Sequence, residues 1–178
     1  MDKQKIFIDR LVDYKATVKQ GIVDSGISSL VLRFLQEVEA TSVVVPPGLD
    51  MAWLAETKGS GIQIRVDDPP LSKQELNEAS AVVTAAKVAI AETGTIVLDH
   101  QADQGRRIIS LLPDTHICIV RASQILTSVP EAMTHLASSI QERRPLTWIS
   151  GPSATVDIEL TRVEGVHGPR KLYVIIVD

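Results

Sequence analysis

Short apolar runs alternate with helical patterns along the chain, and this alternation constrains the fold more than any other feature. Residues 43–45 are all valine, and residues 172–177 contain the run Val-Ile-Ile-Val, which is typical of strands buried on both faces. Between such runs, apolar residues recur with the 3.6-residue period of a helix, most clearly over residues 27–38. Strands alternating with helices form parallel or mixed sheets covered on both faces. The sequence therefore predicts an α/β fold in three layers, as a single domain over residues 1–178.

Within this domain, we expect helices over residues 1–41 and the sheet core over residues 42–178. The first helix places Phe7, Leu11 and Val18 on one face and ends at Gly21. The expected strands are 42–45, 62–66, 81–83, 88–91, 96–98, 116–120, 146–150 and 172–177. The expected later helices are 49–57, 72–79 with a capping box, 103–112, and one that Ser128 caps.

Composition argues against a polymer-binding protein. The net charge is −4 and only 3% of the residues are aromatic. Nucleic-acid binding normally needs a basic surface or a row of aromatic side chains. The start of the chain has no signal-peptide core, and no apolar run approaches the length of a membrane span. We therefore expect a cytoplasmic protein that binds neither nucleic acid nor membrane.

The content of cysteine and histidine limits the cofactors that the chain can hold. Cys118 is the one cysteine in the sequence, whereas an iron–sulfur cluster normally needs four ligands. Cys118 stands in an apolar run, which favours a buried and unreactive thiol. The four histidines lack the spacing of metal ligands, so no metal site is predicted.

Three segments carry residues suited to chemistry, since ligands of open α/β sheets bind outside the carboxyl ends of strands. In the first, Glu92 follows an apolar strand and is succeeded by three candidate binding residues, Thr93, Gly94 and Thr95. Partial burial would raise the pKa of Glu92 and suit it to general acid/base or covalent catalysis. The alternative is that Glu92 caps a turn through hydrogen bonds to the backbone.

The second segment, residues 150–159, is a glycine turn rich in hydroxyl groups and followed by two acids. Loops of this kind bind phosphate or carboxylate through backbone amides and hydroxyls. The candidate binding residues are Gly151, Ser153, Thr155, Asp157 and Glu159. The alternative is a plain connection between a strand and a helix, in which the hydroxyls act as caps.

The third segment, residues 165–170, places a histidine between two glycines just before the last strand. Histidine side chains ordinarily titrate near physiological pH, which makes His167 a candidate binding residue, and Arg170 could anchor a carboxylate with two hydrogen bonds. Gly168 completes the candidate binding set. The alternative is a hairpin turn that contains His167 and Arg170 incidentally.

Taken together, residues 91–98, Leu112-Pro113 with His116-Ile117, residues 151–159 and residues 165–170 resemble the LUD-domain family, and within it the lactate utilization proteins of type C. The resemblance runs in order from about residue 81 to residue 178. It implies a fold like that of NagB, RpiA and the CoA transferases. It also implies a part in a three-protein system that oxidises L-lactate to pyruvate.

In such a system the other two proteins carry the iron–sulfur clusters, so this chain is expected to hold no cofactor and to bind a small carboxylate or a partner. Two alternatives stay open. One is a separate enzyme acting on acyl-CoA thioesters or sugar phosphates, with Glu92 as nucleophile or base. The other is a regulatory module that binds a carboxylate without turning it over.

Overall fold

The computed structural model describes residues 2–155, 163–164 and 168–178. The strands are β1 (Thr17–Ile22), β2 (Ser42–Val45), β3 (Gln63–Val66), β4 (Ala81–Ala85), β5 (Val88–Ile90), β6 (Thr95–Leu98), β7 (Thr115–Arg121), β8 (Ile125–Leu126), β9 (Thr147–Ile149), β10 (Ala154–Thr155), β11 (Val163–Glu164) and β12 (Lys171–Val177). The helices are α1 (Lys3–Asp13), α2 (Ile27–Glu37), α3 (Lys73–Glu78), α4 (Val129–His135) and α5 (Ala137–Gln141).

The central sheet has six strands in the order β1-β12-β7-β4-β2-β3, and every neighbouring pair is parallel. One face is covered by α2, whose apolar stripe of Ile27, Val31, Phe34 and Leu35 is buried against alternate residues of the strands. Because strand side chains alternate between faces, the other residues of β7 and β12 point to the opposite layer. The predicted α/β class with a mostly parallel sheet is confirmed.

The opposite face of the central sheet is covered by α1 and by a second sheet with the order β8-β5-β6-β9. Phe7 and Leu11 of α1 are buried together with Cys118 and Val120 of β7. In the second sheet, β6 lies antiparallel to both β5 and β9. Strands β5 and β9 therefore run in the same direction, and their carboxyl ends lie at the same edge.

The first helix is shorter than predicted. It ends at Asp13, and Lys15 takes a positive φ of 71°, which stops the helix. Residues 17–22 then form β1, which pairs with β12 at the edge of the central sheet. The periodicity through Val18 was misleading because an edge strand also buries only some of its side chains. Residues 1–41 thus contribute a strand as well as helices.

The predicted helix over residues 103–112 is also wrong. A 3-10 turn occupies Arg107–Ser110 only. Gly105 has a positive φ of 69°, and the side chain of Gln104 accepts hydrogen bonds from the backbone of Asp99 and His100. A polar loop therefore takes most of this segment, because the positive φ of Gly105 does not fit a helix and the Gln104 side chain is bound to backbone amides that precede the segment.

Candidate functional site

The second sheet brings the first two segments together. Thr93 lies in the turn after β5, Thr95 begins β6, and Ser150 follows β9, so the three residues lie at the same edge. The Thr93 hydroxyl donates to Thr95 Oγ1 at 2.8 Å, and Thr95 Oγ1 lies 2.7 Å from Ser150 Oγ. A chain of three hydroxyls therefore connects the two segments.

Ser150 opens onto a cavity of about 200 Å³ between the two sheets. The lining residues are 110–111, His116, 147–153, 168–169 and Leu172. Three predicted site residues, Gly151, Ser153 and Gly168, thus meet at one cavity, and the backbone amide of Ser153 donates to the carbonyl of Pro169 at 2.8 Å. Residues of the second and third segments therefore line one cavity.

The position of the cavity differs from the expectation. His116 and Leu172 are the second residues of β7 and β12, so the cavity lies near the amino ends of the central strands. By contrast, β9 of the second sheet meets the cavity at its carboxyl end, which is the end of a strand where ligands of open α/β sheets ordinarily bind. The first two segments follow strands as predicted, but these strands belong to the smaller sheet.

His116 is the titratable group in the lining of the cavity. The side chain is buried, and Nε2 lies 2.7 Å from the hydroxyl of Thr84. Burial lowers the pKa of His116 from its ordinary value of 6.5 to about 4, because the charged imidazolium loses its hydration. The ring is therefore neutral at pH 7.

A second histidine, His100, does not line the cavity but forms a hydrogen bond with the lining residue Thr147. His100 Nδ1 lies 2.9 Å from the carbonyl of Gly105, and His100 Nε2 lies 2.7 Å from Thr147 Oγ1. Burial lowers the pKa of His100, with the carbonyl of Gly105 opposing this shift. The two hydrogen bonds hold Thr147 in the cavity wall.

Helix α1 fixes the backbone of two predicted binding glycines. A Cβ atom at Gly151, which has a φ of +124°, would lie 2.7 Å from Tyr14 Cβ and 3.0 Å from the Tyr14 carbonyl oxygen. At Gly94, with a φ of +60°, a Cβ atom would lie 2.5 Å from Arg10 Cβ. Both positions need glycine for the close approach of α1 and for the positive φ.

Glu92 does not have the surroundings that a buried catalytic carboxylate requires. The residue is exposed, so the predicted partial burial is wrong. Its Oε1 accepts a hydrogen bond of 2.9 Å from the amide of Val129, the first residue of α4. Glu92 thus caps this helix in place of Ser128, whose side chain makes no capping hydrogen bond. A catalytic role for Glu92 stays a prediction.

Two further predicted residues, Arg170 and Thr155, are not among the lining residues of the cavity. Arg170 is exposed, and its Nε lies 3.5 Å from Asp114 Oδ1, so the guanidinium faces a surface carboxylate. The backbone of Thr155 pairs with Val163 in the ladder of β10 and β11. Asp157, Glu159 and His167 lie outside the described residues, and their predicted roles remain predictions.

The sequence interpretation did not single out three lining residues, which are Ser110, His116 and Thr147. A signal for His116 was present, because a histidine inside an apolar strand is a buried polar group that needs a partner. Thr147 and Ser110 carried no comparable signal, since their positions in the cavity depend on the packing of the two sheets.

Three further findings concern the class of the protein. Cys118 is buried, as predicted, and burial raises the pKa of its thiol to about 12. In the part of the chain that the structure describes, no three histidine, cysteine or acidic side chains cluster as metal ligands do. None of the helices in that part has the length and apolar character needed to cross a bilayer.

Comparison with known proteins identifies the family. The model of the LUD domain matches residues 67–177. The chain belongs to the LUD-domain family. A curated relative from Deinococcus radiodurans, named lactate utilization protein C, is 50% identical over 96% of this chain and 77% of its own length. The uncharacterized protein YkgG of Escherichia coli is 33% identical over 97% of this chain and 78% of its own length.

A solved structure of a LUD-type protein shows the same fold. The crystal structure of a DUF162 family protein from Deinococcus radiodurans superposes with a TM-score of 0.83 and is 41% identical. The superposition covers 100% of this chain and 99% of the other. The resemblance derived from the motifs is therefore confirmed at the level of family and fold.

Proposed function

We propose that this chain takes part in the use of L-lactate, as the subunit of a lactate-oxidising system that carries no iron–sulfur cluster. The observation that carries the proposal is the 50% identity to a lactate utilization protein C over 96% of the chain. In this role the chain binds a small carboxylate, and partner proteins that hold iron–sulfur clusters carry the electrons. The position of Cys118 supports this division, because the one cysteine of the sequence is buried in β7.

The cavity beside His116 is the binding site that we propose for the carboxylate. Its volume of about 200 Å³ is below the range of drug-sized pockets and suits a molecule of a few heavy atoms. Thr95 Oγ1 accepts from Thr93 and has two groups to which it can donate, the Ser150 hydroxyl at 2.7 Å and the Thr93 carbonyl at 3.5 Å. The shorter contact is the stronger hydrogen bond, and when Thr95 donates to Ser150, the hydroxyl proton of Ser150 is available to a carboxylate in the cavity.

A second cavity, at the carboxyl ends of β2, β4 and β7, suits a carboxylate less well. It is lined by two acids, Asp50 and Asp103, and by Arg121. Arg121 already pairs with Asp24 at 3.1 Å. A carboxylate there would approach two groups of its own charge, whereas the described lining of the first cavity contains no acid.

The alternative role as a separate enzyme with Glu92 as nucleophile is not favoured by the site. Glu92 is not among the residues that line the cavity beside His116. A nucleophile or base must lie within hydrogen-bond reach of the reacting group. In this proposal the hydroxyl groups of the cavity bind the carboxylate, and Glu92 is only the cap at the amino end of α4.

Growth of a deletion strain tests the proposed function. The organism that encodes the chain is expected to lose growth on L-lactate when the gene is removed, and to keep growth on pyruvate, because only the oxidation step is missing. Growth on L-lactate returns when the wild-type gene is supplied on a plasmid. Equal growth of the deletion and parent strains on L-lactate, together with equal rates of lactate consumption, would contradict the proposal.

A further inference from the structure

The described lining of the cavity beside His116 contains no lysine, arginine or acidic side chain. Its members are serine, threonine, glycine, proline and apolar or aromatic residues, together with His116, whose ring is neutral at pH 7. A carboxylate that enters this cavity loses hydration and meets no opposite charge, which is costly. We propose that His116 takes up a proton from the solvent when a carboxylate binds, so that the anion and its counter-charge enter the site together. This inference rests on the proposed function, because it concerns the ligand of the same cavity.

His116 is the group in the described lining that can accept this proton. Serine, threonine and tryptophan side chains do not take up a proton near neutral pH, whereas histidine ordinarily titrates in this range. His116 is only 1% exposed, so the charge of a nearby carboxylate acts on its ring with little screening by water. The bound carboxylate therefore stabilises the protonated ring, and by the same interaction the protonated ring stabilises the bound carboxylate.

Thr84 can accept a hydrogen bond from the protonated ring. An imidazolium has two N–H donors and no acceptor, so in the charged state Nε2 donates to Thr84 Oγ1, which lies 2.7 Å away. The hydroxyl oxygen of Thr84 keeps lone pairs for this bond wherever its own proton points. Thr84 is fully buried, so the bond is shielded from water. The structure therefore already holds a partner for one N–H group of the charged ring.

Charged side chains on the elements around His116 do not supply this counter-charge. Strand β4, which pairs with β7 at His116, and strand β9, which lines the same cavity, contain no charged residue. His100, which is bonded to Thr147, is engaged at both ring nitrogens, and burial lowers its pKa as well. In the described part of the chain, the proton on His116 is therefore the counter-charge available inside the cavity. The charged side chains on the other neighbouring elements are exposed and do not line the cavity: Arg107, Asp114, Arg121, Arg170 and Lys171.

The affinity of the cavity for a carboxylate is therefore expected to rise as the pH falls. Burial lowers the pKa of His116 in the free protein to about 4. A nearby opposite charge shifts a pKa by about one to three pH units, and here it raises the pKa of His116 because it favours the charged ring. Proton uptake then occurs between the two pKa values. With a shift of about two pH units, L-lactate binds about ninefold more tightly at pH 5 than at pH 7.

Calorimetric titration of the full chain with L-lactate counts the protons. Titrations at pH 5 are run in two buffers with different ionisation enthalpies, because the buffer supplies the proton and adds its own heat. We expect an uptake of about 0.8 proton for each L-lactate bound. Equal heats in the two buffers, release of a proton, equal affinity at pH 5 and pH 7, or no binding at either pH would each overturn the inference. Growth of the deletion strain on L-lactate judges the proposed function separately.

His116→Gln assigns the proton to this histidine. Glutamine keeps a polar side chain but does not titrate, so proton uptake is expected to fall to near zero and the affinity to become nearly the same at pH 5 and pH 7. His100→Gln is the matched control, because His100 is a partly buried histidine that does not line the cavity, and it should keep the uptake. Uptake that survives in His116→Gln would overturn the proposal, and His167→Gln would then show whether that histidine takes the proton instead.

A pair of substitutions at Thr84, which does not line the cavity, tests the proposal if His116→Gln does not fold. Thr84→Val removes the acceptor of the protonated ring at nearly constant volume, so the gain in affinity from pH 7 to pH 5 is expected to fall from about ninefold to about twofold. Thr84→Ser keeps the hydroxyl and should retain most of the gain. Thr57→Val is the matched control, because Thr57 is a buried threonine outside this cavity. A full gain in folded Thr84→Val would overturn the proposal.

Discussion

Replacement of Arg106 by methionine is expected to lower the free energy of unfolding by about 3 kcal/mol. Arg106 makes two hydrogen bonds to Asp67, from Nε at 2.7 Å and from Nη2 at 2.6 Å. The side chain of Asp67 is only 1% exposed, so the substitution leaves a buried charge without its partner. The value is at the lower end for a broken buried pair, because Arg106 itself is 41% exposed. Urea unfolding monitored by circular dichroism measures the change.

Arg144→Met is the matched control for this prediction. Arg144 pairs with Glu142 at 2.7 Å, but the Glu142 side chain is 58% exposed. Exposed ion pairs contribute roughly 0–1 kcal/mol, so this control should change stability little. Adding Asp67→Asn to Arg106→Met removes the buried charge and should recover part of the loss. Equal effects of the two single substitutions would show that the Arg106 pair does not stabilise the fold.

Stability is expected to fall by about 3 kcal/mol between pH 6.5 and pH 4, owing to His116 alone. The pKa of His116 is lowered in the folded protein from 6.5 to about 4, so in this window the unfolded chain binds a proton that the folded chain does not. Lower pH therefore favours unfolding. The contribution of neutral His116 to the free energy of unfolding is fully present above pH 6.5 and is lost as the pH falls towards 4. Denaturant titrations at intervals across the window measure the slope.

His116→Gln is the comparison variant for the pH dependence, because glutamine does not titrate. Its profile should be flatter than that of the wild type between pH 6.5 and pH 5. His100 contributes with the same sign, since its pKa is also lowered, so some slope remains. The pKa values of Glu75 and Glu131 are lowered from their ordinary value of 4.5. These two groups therefore change the free energy of unfolding only below about pH 4.5, outside the range of this comparison. Parallel profiles of variant and wild type would contradict the burial of a neutral His116.

The elements that could be predicted from the sequence are those whose signal is local. The capping box of Ser72 and Glu75 forms as predicted, with both reciprocal hydrogen bonds. The apolar runs became buried strands such as β2, β4 and β12, because continuous apolar sequence requires burial on both faces. The failure at residues 17–22 depends on a distant partner, β12. The failure at residues 103–112 depends on the positive φ of Gly105 and on the hydrogen bonds that Gln104 accepts from Asp99 and His100, which apolar periodicity does not reveal.

The candidate site could be predicted only in part. The hydroxyl-rich loop at Gly151 and Ser153 does line a cavity, so the composition of the segment pointed to the right region. The role of Glu92 as a helix cap depends on α4, which begins 37 residues later in the chain. The positions of two lining residues, Thr147 and His116, depend on hydrogen bonds with His100 and Thr84, which lie on separate elements and share no motif. Only the packed structure shows that these side chains act together.

Recovery of the chain with its partners tests the central claim most directly. The tagged chain is purified from its native host grown on L-lactate, and the eluate is examined by mass spectrometry and by an iron assay. The proposed role predicts two cysteine-rich partner proteins and bound iron in the eluate. Recovery of the chain by itself, free of iron, from cells that are oxidising lactate would contradict the role as a subunit of a lactate-oxidising system.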